Sequence, residues 1–145
     1  MRYGSIYLIV RDFDRSVSFY EKVLDMKVSA VNGKRFAMFQ SNGLSLCLMN
    51  GYYDDANKEQ VITKGDYWEI YDNQSKIADS ANPRKVFINL GVEDLQAEYD
   101  RIKELGIAVQ LTPIRFIQVF SPYWYFTFMD PDGNPIEITG GYTEA

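Results

Sequence analysis

The sequence predicts an α+β protein built from two tandem βαβββ modules. Three observations point there: a strand-to-helix passage occurs twice, each copy ends in a strand-turn-strand pair, and apolar residues fall at the spacings those elements need. The 145 residues, 46% of them hydrophobic, suffice for one compact domain or two small modules sharing a core. Two such modules side by side would curl into a curved sheet around a concave cleft, with helices outside.

The first passage begins with Ser5-Ile6-Tyr7-Leu8-Ile9-Val10 as a strand. Arg11-Asp12 ends it, and Asp12 or Asp14 caps a helix whose stripe is Phe13, Val17, Tyr20 and Leu24. The second passage reads Phe87-Ile88-Asn89-Leu90-Gly91-Val92 as a strand and Asp94 as the cap. Its stripe is Leu95, Tyr99, Ile102 and Leu105, with Gly106 as the helix stop. Residues 35–40 and 44–49 read as strands around the Ser41-Asn42-Gly43 turn. Residues 123–129 and 135–139 repeat the pattern around Asp130-Pro131-Asp132-Gly133-Asn134. Asn-Gly and Asp-Gly tolerate positive φ, which is why they mark turns. Residues 28–31 and 107–111 supply the remaining strand of each half. The modules then span 1–50 and 84–145 within one structural domain, and 51–83 connects them.

That connector is polar and acidic, yet carries Tyr52, Tyr53, Tyr67, Trp68 and Tyr71. Its length calls for a job. Two readings stand side by side: a linker packing its aromatics on the sheet or a second subunit, and a lid placing Tyr67 or Trp68 over the cleft. A short helix is expected near 54–63.

Composition removes several function classes. The net charge is −5 with scattered basic residues, so no basic stripe meets phosphates and nucleic-acid binding is not expected. No apolar run approaches the ~20 residues that span a bilayer, and no charged-then-apolar leader precedes the first strand, so a cytoplasmic protein without membrane contact is expected. The single cysteine, Cys47, cannot form an intrachain disulfide. There is no histidine, which excludes the serine, cysteine and zinc mechanisms that depend on one.

Asp130-Pro131-Asp132-Gly133-Asn134-Pro135-Ile136-Glu137-Ile138 is similar to the C-terminal DPDGN-x-[IL]-E signature of the vicinal oxygen chelate superfamily, which holds glyoxalases, bleomycin resistance proteins and extradiol dioxygenases. Val10 to Val17 and Phe19-Tyr20 resemble that family's first strand-to-helix passage. The resemblance implies a homodimer and a divalent metal held by one inward side chain from the first and last strand of each module. Carried over, those positions fall at Ser5, Cys47, Phe87 and Glu137, and only Glu137 matches. One thiol and one carboxylate do not complete a site, so a metal-site-degenerate member with no cofactor is expected.

Strand alternation assigns the cleft lining. It predicts Tyr7, Phe39, Cys47, Met49, Phe87, Asn89, Tyr125 and Glu137 inward, with Arg35 beside them, while Phe36 and Met38 join Phe126 and Phe128 in the core. This aromatic lining suits a small, partly aromatic organic ligand. Four functions remain open: a metal-free binding protein of the sequestration or resistance type; a lyase, isomerase or dioxygenase with an unorthodox metal site; a metal-free enzyme using Glu137 as general base, with Tyr7, Tyr125 or Arg35 stabilising an oxyanion; and a module whose partner is another protein. The first is favoured.

Overall fold

Two βαβββ modules follow one another, each a four-stranded mixed sheet with its long helix on one face. The computed structural model describes residues 1, 5–67, 69–81, 85–118 and 121–144, the side chains of 70 and 71 apart. The chain divides into two compact units, Met1–Ala81 and Asn82–Ala145.

In the first unit, β1 (Ser5–Val10) leads into α1 (Phe13–Val23), followed by β2 (Ala30–Asn32), β3 (Phe36–Ser41) and β4 (Leu44–Asn50). The sheet order is β1-β4-β3-β2, with β1 parallel to β4 and the other pairs antiparallel. Asp12 caps α1 by accepting from the Arg15 amide at 3.1 Å, satisfying one of the helix's orphan N–H groups. The helix buries Phe13, Ser16, Phe19, Tyr20 and Val23. Val17 and Leu24, expected on that stripe, are half-buried at its margin. Asn42 (φ 51°) and Gly43 (φ 80°) form the two-residue turn between β3 and β4, as the Asn-Gly pair predicts.

The register of β3 corrects the expected facing. Phe39 pairs with Leu46 and Ala37 with Leu48, whereas Met38 pairs with Cys47 and Phe36 with Met49. Paired antiparallel residues share a face, so Phe39 and Ala37 belong to the α1 side. Phe39 is 2% exposed, and its ring lies 6.4 Å from that of Tyr20. Phe36 and Met38 take the opposite face. In β3 both parities are apolar, so hydrophobicity alone does not choose between two registers that differ by one residue and exchange the faces.

The short helix expected near 54–63 forms as a single turn, α2 (Tyr53–Ala56), and the described residues of the connector add α3 (Glu69–Asp72) and α4 (Gln74–Asp79). Side-chain bonds hold them. The Arg35 guanidinium donates twice to the Asp54 carboxylate, at 2.7 and 3.0 Å, Ser75 donates to Asp55 at 2.5 Å, and the Tyr52 hydroxyl donates to Asp79. Helix α4 packs against β1 through Ala78, over Gly51. A Cβ at Gly51 would stand 2.6 Å from the Ala78 Cβ and 3.0 Å from the Ile9 Cγ2, so only glycine admits this approach. Tyr67 is 69% exposed; Trp68 lies outside the described residues.

In the second unit, β5 (Ile88–Asp94), α5 (Leu95–Leu105), β6 (Arg115–Gln118), β7 (Pro122–Met129) and β8 (Pro135–Gly141) repeat the plan with order β5-β8-β7-β6. Asp94 caps α5 by accepting from the Ala97 amide at 3.0 Å, and Gly106 ends it at φ 65°. Tyr99 meets Phe126 edge-to-face at 5.2 Å, and Leu95, Ile102, Phe126, Phe128, Ile136 and Ile138 are buried together. The outer strand is Arg115–Gln118 and not 107–111. Val109 makes an isolated bridge to Met129. The positive φ of Gln110 (53°) and Pro113, which lacks an N–H, break the ladder before it resumes.

Among the described residues no helix is long and apolar enough to cross a membrane.

Candidate functional site

Each sheet has one face under its long helix and one opposite. On the opposite face of the first sheet, the register places Ser5 beside Ser45, Tyr7 beside Cys47 and Ile9 beside Met49. Ser45, Cys47 and Met49 are buried, and Tyr7 is 41% exposed. Burial pushes the Cys47 thiol above its usual ionisation range, and a hydrogen bond with the Ser5 side chain offsets part of that rise. A protonated, covered thiol is a packing group and a poor nucleophile. Arg35 is engaged by Asp54 of the connector.

The second sheet's opposite face carries polar chemistry. Asn89 on β5 pairs with Glu137 on β8, which pairs with Thr127 on β7. The Asn89 Nδ2 donates to Glu137 Oε1 at 2.8 Å and to the Tyr123 hydroxyl at 3.0 Å. That hydroxyl donates to the same Glu137 oxygen at 2.7 Å, closing a three-membered ring of bonds. A carboxylate accepting from two side chains is held in one rotamer, because charge-assisted bonds are stronger than neutral ones. Burial, and next the bond to Glu137, raise the Tyr123 phenol above its usual range, so it stays a donor at neutral pH. The Tyr125 ring lies 5.7 Å from that of Tyr123. Thr139, opposite Tyr125, donates to the Trp124 carbonyl at 2.9 Å.

The structure thus brings Asn89, Tyr125 and Glu137 together on one face. Phe87 precedes β5 and is 52% exposed; the residue that engages Glu137 from that strand is Asn89. Sequence reasoning missed Tyr123. The signal was present, since Tyr123 shares the parity of Tyr125, one pleat along the same strand. Trp124, on the other parity, packs with Phe116 at 4.9 Å and Tyr142 at 4.8 Å.

Below the face, the Asp130–Asn134 turn fixes where β8 starts. The buried Asp130 carboxylate accepts from the Asp132 and Asn134 amides at 2.9 and 2.8 Å and from the Asn134 side chain at 2.8 Å. Gly133 at φ 84° completes the reversal. This turn sets the β7–β8 register that places Glu137 opposite Thr127.

The geometry and the duplicated topology define a class. Residues 2–138 match the Glyoxalase/Bleomycin resistance protein/Dioxygenase superfamily, and the chain belongs to that family. It is 27% identical over 139 residues to the uncharacterized protein YraH of Bacillus subtilis (strain 168), covering 95% of this chain and 97% of that one. Among solved structures, a lactoylglutathione lyase from Agrobacterium tumefaciens aligns over 97% of this chain and 93% of its own at 15% identity and TM-score 0.64. The fosfomycin resistance protein FosX from Mesorhizobium loti aligns over 97% and 92% at 18% identity and TM-score 0.58. At such identities these two likenesses speak for the fold.

The residues at the family's metal positions do not fit a divalent ion. Phe87 offers no donor atom, Ser5 offers a neutral hydroxyl, and Cys47 resists the deprotonation that ligation requires. Glu137 already accepts two bonds on Oε1. Among the described residues no group of three or more His, Cys, Asp or Glu side chains is placed to hold a metal.

Proposed function

We propose that the protein binds a small, partly aromatic organic molecule at the helix-free face of its second sheet, without a metal, in the manner of a sequestering or resistance protein. The observation that carries this reading is the Asn89–Tyr123–Glu137 ring of hydrogen bonds beside Tyr125. A few fixed polar groups set among aromatic surface are what organic ligands are recognised by, and a prearranged set avoids the entropy cost of ordering on binding.

The enzymatic alternatives have less support. A metal-dependent lyase, isomerase or dioxygenase would need ligands that Phe87 and Ser5 do not supply. A metal-free enzyme with Glu137 as base keeps Tyr125 as an oxyanion partner, but Arg35 is engaged by Asp54 and Glu137 Oε1 already accepts two hydrogen bonds.

The test is a thermal-shift screen with a library of aromatic and cationic compounds on the wild type and Glu137→Gln. A ligand present at a hundred times its Kd adds about 2.7 kcal/mol, a rise of roughly 5–10 °C for a chain of this size. Compounds that raise Tm in the wild type should lose most of that effect in Glu137→Gln. A library that shifts nothing refutes the reading; turnover lost in the variant with binding intact would favour the base.

A further inference from the structure

The ring of bonds around Glu137 has a proton count, and the count restricts the ligand. The Asn89 amide nitrogen has two N–H donors; one goes to Glu137 Oε1 and the other to the Tyr123 oxygen. The Tyr123 hydroxyl has one proton, and it goes to Glu137 Oε1. The reverse amide orientation would turn the Asn89 carbonyl toward the carboxylate, acceptor against acceptor, so the carboxylate itself fixes the amide. The Thr139 hydroxyl proton, on the same face, is given to the Trp124 carbonyl. Every side-chain donor of Asn89, Tyr123 and Thr139 is therefore spent inside the protein.

What is left for a ligand is acceptor capacity. Glu137 Oε2 and Asn89 Oδ1 take no hydrogen bond from the described residues, and the assembly carries the carboxylate's negative charge. The faces of Tyr123 and Tyr125 lie alongside, and an aromatic face attracts a cation through its quadrupole. In register, Arg115 stands on β6 opposite Tyr125, two strands from Glu137, and it bonds to none of the three. At the triad itself a carboxylate or phosphate ligand would meet only acceptors; the Tyr125 hydroxyl and Arg115, on the neighbouring strands, lie outside it.

We propose that this acceptor-only triad selects ligands bearing a cationic nitrogen with N–H donors, aromatic amidines and amines being the class that fits. The idea rests on the reading above that this face takes a small organic ligand, and it adds the ligand's charge and hydrogen-bonding sense. An amidinium offers two parallel N–H groups to Glu137, with its ring against the tyrosines.

Three probes of nearly one shape separate the possibilities: benzamidine (cation), benzamide (neutral) and benzoate (anion). Isothermal titration of the wild type with each should rank benzamidine first, about tenfold or more above benzamide, as expected for a charge-assisted bond, with benzoate weakest. Glu137→Gln should level benzamidine with benzamide. The wild-type ranking alone decides the matter if that variant does not fold. Benzoate binding as well as benzamidine, or a benzamidine preference that survives in Glu137→Gln, overturns the proposal. If none of the three binds while neutral compounds of the wider library raise Tm, this inference fails and the ligand-binding reading stands. If nothing binds at all, both fail.

Discussion

The two modules share a backbone plan and differ on one face. Under the helices they match: Tyr20 over Phe39 in the first, Tyr99 over Phe126 in the second. Opposite the helices they part. The first face buries Ser45, Cys47 and Met49, with α4 packed on β1 where Gly51 leaves room. The second presents a carboxylate, an amide and two phenols. The difference teaches that a duplicated fold needs one face of each sheet for its core and leaves the other to diverge, one copy toward packing and the other toward a polar surface.

Several substitutions break or sharpen that contrast. Under the helices the modules should respond alike. Phe39→Ala and Phe126→Ala each remove a fully buried ring and should cost about 3–5 kcal/mol, read from urea unfolding. A cost near zero at Phe39 would contradict its burial under α1. Next in size, Asp130→Ala strands three donors in the turn that sets β8, and each buried unsatisfied group costs about 1–3 kcal/mol. Its unfolding midpoint should fall accordingly, and ligand binding should weaken with it as Glu137 loses its alignment.

The glycines probe cover directly. Gly51→Ala forces a Cβ against Ala78 and should cost about 1–3 kcal/mol by overpacking; it should also speed the reaction of Cys47 with a thiol reagent, which in the wild type should be slow. Gly91→Ala, on the second sheet's open face beside Thr139, meets nothing within 4 Å and should stay within about 0.5 kcal/mol of wild type. Equal effects at the two glycines would erase the distinction between a covered and an open face.

The smallest effect is in alkali. The folded chain holds the Tyr123 phenol and the Cys47 thiol above their ordinary ionisation ranges, whereas in the unfolded chain they ionise near about 10 and 8.5. Both protonated forms are therefore favoured by folding. Their contribution is whole below the unfolded values and is lost as pH rises through the folded ones. Stability should fall from about pH 8.5 upward, and the fall should be shallower in Tyr123→Phe.

Much of this was legible from the chain. The doubled strand-helix passage, the Asp12 and Asp94 caps, the Gly106 stop, the Asn42-Gly43 turn and the Asp130–Asn134 turn all rest on interactions between residues close in sequence. Local chemistry writes itself into local spacing. The sequence likewise determined that a chain without histidine, with Phe87 at a ligand position, lacks the family's usual metal donors.

Tertiary structure decided the rest, wherever two local readings were equally good. Phe36-Ala37-Met38-Phe39 is apolar on both parities, and only pairing with β4 sent Phe39 to Tyr20. Residues 107–111 alternate like a strand, but the ladder forms at 115–118. Tyr123 joined Asn89 as a partner of Glu137, because a long side chain reaches diagonally to a neighbouring strand that its own sequence does not reveal. Alternation fixes that neighbouring residues point apart. Which of them points inward is settled by the partner strand, and that partner is distant in the chain.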